Sequence, residues 1–227
     1  EAPYPRAGTR DRRANARQKV REIRNRLAHA PSRKPDFEYD LLCRFARKER
    51  SARVALPLLA TIFSLASTFW APVLHAAAWL ATVIAMKLVV IAACRRLLCR
   101  PRLGVDVVLW RRRLIWLELA NGIAWAGIAA VGLGTADATG HVFVLACLIV
   151  LLAIRMTFAS AVMMILCAGT IPITAAVVAR LLAQGDPFYL AMAAIAVGLH
   201  VYFIVLARGL NATALAIGIG LQNAPEG

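Results

Sequence analysis

The 227 residues are 60% hydrophobic, with a mean hydropathy of +0.66, well above the ~45–50% apolar content of ordinary soluble domains. They carry 27 Lys and Arg against 12 Asp and Glu, a formal net charge of +15. The apolar residues fall in several long runs with the bases clustered beside them, which excludes a single soluble core and makes the charge a flank of membrane spans before it is a nucleic-acid surface.

The first residue is Glu1 rather than Met, so a cut or processed chain is expected. The first apolar run begins roughly fifty residues in, too late for a secretory signal peptide. Residues 1–35 are Arg-rich and punctuated by Pro3, Pro5, Pro31 and Pro35. Val20, Ile23 and Leu27 give a thin helical stripe, and the segment reads as a partly disordered cytoplasmic arm. It could also lie on anionic lipid. Nucleic acid is not the expected partner, because no aromatic side chains interleave with its arginines.

Residues 36–53 predict an amphipathic helix in the membrane interface. Asp36 suits an N-cap, Phe37, Leu41, Leu42 and Phe45 share a face, and Arg44, Arg47, Lys48 and Arg50 take the other side. Six transmembrane helices then follow, at about 54–73, 75–93, 114–133, 142–158, 161–179 and 188–207. The fold class is an all-α polytopic membrane helical bundle, and 209–227 is an exit segment, expected to be truncated.

The first two spans form a hairpin, since almost nothing separates them. Arg95 to Arg113 holds seven arginines against the single acid Asp106, and GTADATG at 134–140 holds no base. Val142 to Ala179 is one apolar run broken only by Arg155. As one helix it would be ~57 Å long, nearly twice the bilayer core, so a turn is expected near 157–160. On this layout one side carries 16 bases in the N-terminal arm and helix, the seven arginines, Arg155 and Arg208, while the other carries only Arg180. Both termini are therefore placed in the cytoplasm.

Small residues repeat every fourth position at Gly122, Ala126, Ala130 and Gly134, and again at Ala77, Ala81 and Ala85, as helices that approach closely require. Pro172 falls mid-span and frees the carbonyl of Ala168. Intramembrane ionisable groups are the leads to function. Lys87, Glu118, Asn121 and His200 fall at similar depth in the cytoplasmic half, so a polar node built on a Lys87–Glu118 ion pair is expected. The plainer reading stays open: Lys87 snorkels, Glu118 faces headgroups and His200 is a hydrogen-bonded core residue. Contacts to anionic lipid are expected from Arg44, Arg47, Lys48, Arg95, Arg96, Arg111, Arg112 and Arg113. The five cysteines match no zinc or redox spacing, and no catalytic or metal-binding set is visible.

The order of segments resembles the N-terminal six-span membrane sensor region of bacterial two-component sensor histidine kinases. The resemblance covers roughly 36–215 and rests on the layout. It is carried by the basic helix Phe37–Arg53, by Arg95-Arg96, by WRRRLIWLELANGIAW at 110–125, by Ile171-Pro172-Ile173-Thr174, and by the exit YFIVLARGLNATAL at 202–215. It implies a bacterial inner-membrane location and a homodimer formed through downstream helices. It also implies a catalytic domain outside this chain that would use ATP and Mg and engage a response regulator. No histidine here fits the family's His-Glu-x-x-x-Pro box, so no catalytic residue carries over, and 216–227 lack the heptads of a signalling helix. A six-span transporter or channel, and the membrane module of a cyclic-dinucleotide synthase, are the alternatives.

Overall fold

In lipid every backbone polar group must be satisfied within the segment, and for long apolar runs the helix does this. The computed structural model describes residues 33–101, 105–132, 138–159 and 162–222, which contain seven helices and no strand. These are α1 (Arg33–Ser51), α2 (Ala55–Ser67), α3 (Val73–Leu98), α4 (Val107–Gly132), α5 (Ala138–Ala159), α6 (Met163–Leu182) and α7 (Pro187–Gln222). Most of the basic arm, Gly134 and residues 223–227 lie outside the described residues, as do parts of the 95–113 and 134–140 loops and of the α5–α6 turn. The chain forms two compact units, Glu1–Glu38 and Tyr39–Gly227. Of the first, only the opening turns of α1 are described; the bundle and its core belong to the second.

Helices α3 to α7 are long and apolar enough to cross a membrane. The α5–α6 break follows within a few residues of the expected turn, since α5 ends at Ala159 and α6 begins at Met163. The first expected span differs. Instead of one helix over 54–73, α2 has 13 residues, about 20 Å at 1.5 Å per residue. The local chemistry explains why it ends early. The Ser67 hydroxyl donates to the Ser64 carbonyl at 2.7 Å and that of Thr68 to the Leu65 carbonyl at 2.7 Å. The amides of Thr68, Phe69 and Trp70 turn back to carbonyls three residues earlier, a tightening that closes a helix. Pro72 then leads into α3.

The core is split in two. One apolar cluster gathers Leu56, Ala60 and Phe63 of α2, Trp79 and Val83 of α3, Trp125 to Ala129 of α4, Val144 to Leu152 of α5, Ile173 to Leu181 of α6 and Met192 to Ala196 of α7. Its aromatic centre has Phe63, Trp79 and Trp125 in edge contacts, with centroids 6.4 Å and 5.7 Å apart. The second cluster joins Tyr39 to Ala46 of α1, Val90 to Leu97 of α3, Trp110 and Leu114 of α4, Ile165 and Leu166 of α6 and Ala207 of α7. The C-terminal part of α3 thus meets the N-terminal parts of α4 and α6, at the end where the arginines cluster.

Helices α4 and α6 make the most extensive contact in the bundle. A Cβ added at Gly122 would lie 2.6 Å from the Gly169 carbonyl oxygen and 3.2 Å from that of Ala168. Ala168 is the residue whose carbonyl Pro172 leaves without its helical partner. Backbone cannot yield there, so Gly122→Ala is expected to destabilise the bundle by about 1–3 kcal/mol, read from the unfolding midpoint in mixed detergent. Ala130 of the expected ridge does not join this crossing: it is exposed, and so are Ala77, Ala81 and Ala85 of α3. α3 instead turns Trp79 and Lys87 inward, because an indole N–H and an ammonium need partners that lipid cannot offer. The Trp79 indole donates to the Ala124 carbonyl at 3.0 Å.

Candidate functional site

Between the two apolar clusters lies a layer of buried charge. α1 supplies Glu49, α3 Lys87, α4 Glu118 and Asn121, and α5 Arg155; all are at most 2% exposed. Lys87 Nζ donates to Glu49 Oε1. Arg155 Nη1 donates to Glu118 Oε2, and Asn121 Nδ2 reaches the same oxygen at 3.4 Å. Both pairs lie between the same two apolar clusters. With two cations and two anions the layer is neutral, which is what makes it tolerable in a dry interior.

The sequence reading placed Lys87 and Glu118 on one ion pair. The structure corrects this, because each has a different partner. Glu118 and Asn121 do come together, three residues apart on one face of α4. His200 stands apart from them: its Nδ1 lies 2.8 Å from the Thr174 hydroxyl. The same hydroxyl lies 3.4 Å from the Thr170 carbonyl one turn back on α6.

Two members, Glu49 and Arg155, were missed as site residues. Their neighbours disguised them. Glu49 sits among arginines, and Arg155 is counted with the flanking bases of the cytoplasmic side, whereas it is buried. A signal was nevertheless present in α1. Glu49 follows Leu42 by seven residues and Phe45 by four, so it lies on the buried stripe. That stripe packs Tyr39, Leu42, Cys43, Phe45 and Ala46 into the bundle, while Arg44, Arg47, Lys48 and Arg50 are exposed. Lys48 Nζ donates to the Thr157 carbonyl at 3.3 Å near the end of α5.

Gly169 of α6 completes the site. A Cβ there would lie 3.0 Å from Glu118 Oε2 and 3.2 Å from Arg155 Nη1, so the glycine lets α6 close over the pair. Arg155 Nε and Nη2, Glu118 Oε1 and Asn121 Oδ1 have no hydrogen-bond partner among the described residues. Nε and Nη2 form one edge of the guanidinium, a two-pronged donor. The layer thus keeps two donors and two acceptors in excess of its own pairings. Among the described residues no three His, Cys, Asp or Glu side chains converge as for a metal ion.

Apolar helices packed around a neutral charged layer define the class: a multi-pass helical membrane module. No protein-family model matches the chain, and it has no match among curated proteins or solved structures.

Proposed function

We propose that this chain is the membrane-embedded sensor and anchor module of a signal-transducing histidine kinase. In this reading it crosses a bacterial inner membrane six times with both ends in the cytoplasm. α2 and its flanking turns make the first crossing, and α1 closes the cytoplasmic end. The exposed Arg44, Arg47, Lys48, Arg95, Arg96, Arg112 and Arg113, together with the half-buried Arg111, face anionic headgroups.

The observation that carries the reading is α7. It runs unbroken for 36 residues, about 54 Å, against a hydrocarbon layer of ~30 Å. A last span that continues as one helix is a rigid lever to a cytoplasmic domain. Repacking of the charged layer would reach that lever through α5 and α6, which pack against α7. The ATP- and Mg-using domain, the dimer contacts and the response regulator belong downstream.

The test is to extend the reading frame past codon 227, express the full product and incubate its membranes with labelled ATP. Label on a histidine supports the reading. A Gly-Gly-(Asp/Glu)-Glu-Phe box instead would make the partner domain a cyclic-dinucleotide synthase. A frame that stops near Gly227, with no label, discards the kinase.

The free edge of Arg155 favours one second reading, a small transporter or channel, since buried ionisable groups with unpartnered atoms mark polar pathways. Proteoliposomes that pass no ion or proton, with or without Arg155, would exclude it.

A further inference from the structure

At the basic end of the bundle two arginines from different helices converge on one ring. Arg100 follows the C-terminus of α3, and its guanidinium carbon is 5.5 Å from the centroid of Trp110. Arg113, one turn along α4 from Trp110, is 5.4 Å from the same centroid. Trp110 is 2% exposed and belongs to the apolar cluster at that end, so the ring is fixed. Both arginines are exposed, and neither has an ion-pair partner among the described residues.

Long arginine side chains at a surface normally sample many rotamers. A cation–π contact with an immobile indole removes much of that freedom before any ligand arrives. The surface below the pair is apolar. Trp116 and Ile123, on the same face of α4 as Arg113, are 67% and 59% exposed. They lie about 5 Å and 15 Å further along the helix. Cationic groups held above an exposed apolar stripe complement an amphiphile whose head is a phosphate and whose body is hydrocarbon. A free phosphate or a nucleic acid would leave the stripe unused.

We infer that Arg100, Trp110 and Arg113 form a specific binding site for the phosphodiester headgroup of an anionic phospholipid, with an acyl chain lying along Trp116 and Ile123. The site deepens the headgroup contacts proposed above and rests on that membrane orientation. It adds Arg100 and Trp110, and it separates Arg113 from its neighbours as a built contact rather than part of a diffuse basic surface.

The test uses the full chain in detergent micelles. Phosphatidylglycerol is titrated against a phosphatidylcholine background, and the bound lipid is read by native mass spectrometry. Arg100→Gln with Arg113→Gln is expected to weaken phosphatidylglycerol binding about tenfold or more, and Arg112→Gln by about fivefold at most. The Lys pair, Arg100→Lys with Arg113→Lys, keeps both charges but loses the planar fork that pairs with phosphate. It should bind nearly as weakly as the Gln pair. Lys variants that bind like the parent, or an Arg112→Gln loss as large as that of the Gln pair, would overturn the site in favour of a diffuse basic surface. Inorganic phosphate at millimolar concentration that displaces the lipid fully would overturn the role of the acyl chain.

Orientation is read separately. Cys99, exposed beside Arg100, should react with an impermeant maleimide in inverted vesicles and not in intact cells. Labelling in intact cells would fail the orientation while leaving the binding result to stand or fall by itself.

Discussion

Replacing Arg155 with methionine is expected to lower the stability of the bundle by about 3–5 kcal/mol, because it strands the Glu118 carboxylate inside a dry interior. Glu118 is 0% exposed, and its only other described donor is Asn121 at 3.4 Å. No relaxation of α4 can bring the carboxylate to water, since Gly122 is locked against the backbone of α6 one turn away. Denaturation in mixed micelles, followed by circular dichroism, gives the number. The pair variant Arg155→Met with Glu118→Gln removes both charges and should recover most of the loss. A single variant within about 1 kcal/mol of the parent would mean that water reaches the pair.

Lys87→Met is expected to act differently, although the chemistry of its pair is similar. The stranded group would be Glu49, and Glu49 sits on α1, which joins the bundle through the short turn at 52–54. α1 can leave and carry its carboxylate into water, so the damage stays local. Amide exchange over 42–49 should accelerate by about a hundredfold, or ~3 kcal/mol of lost docking, while amides around Gly122 and Gly169 keep their protection. Lys87→Arg keeps the charge and should keep α1 docked. Lys87→Met with Glu49→Gln should restore much of the protection, because the docked stripe of Leu42, Phe45 and Ala46 then carries no unpaired charge. Exchange that rises across the whole bundle would show that α1 is not a separable element. Exchange unchanged in α1 would show that Lys87 does not hold it.

The contrast between these variants shows what reading the sequence can miss. Depth along a helix follows from counting residues, so Lys87, Glu118 and Asn121 could be set at a common level. Azimuth does not follow from counting, and it decides pairing. Lys87 faces α1, and Glu118 faces α5 and α6. The alanine stripe of α3 shows the same limit. Its spacing suits close helix contact, yet it is exposed because the opposite face holds Trp79 and Lys87, whose polar atoms need partners inside.

The order of the apolar helices, the break after Arg155 and the clustering of bases at one end were legible because they depend on hydrophobicity and charge summed along the chain, which are local properties. They determined an all-helical protein with spans long enough for a membrane. The early end of α2 was legible only in part, since it depends on how hydroxyls and backbone amides turn near Pro72. The site itself was decided by tertiary structure. Its four charges come from four helices, the outermost, Glu49 and Arg155, lying more than a hundred residues apart in the chain, and the balance that lets them stay buried exists only where those helices meet.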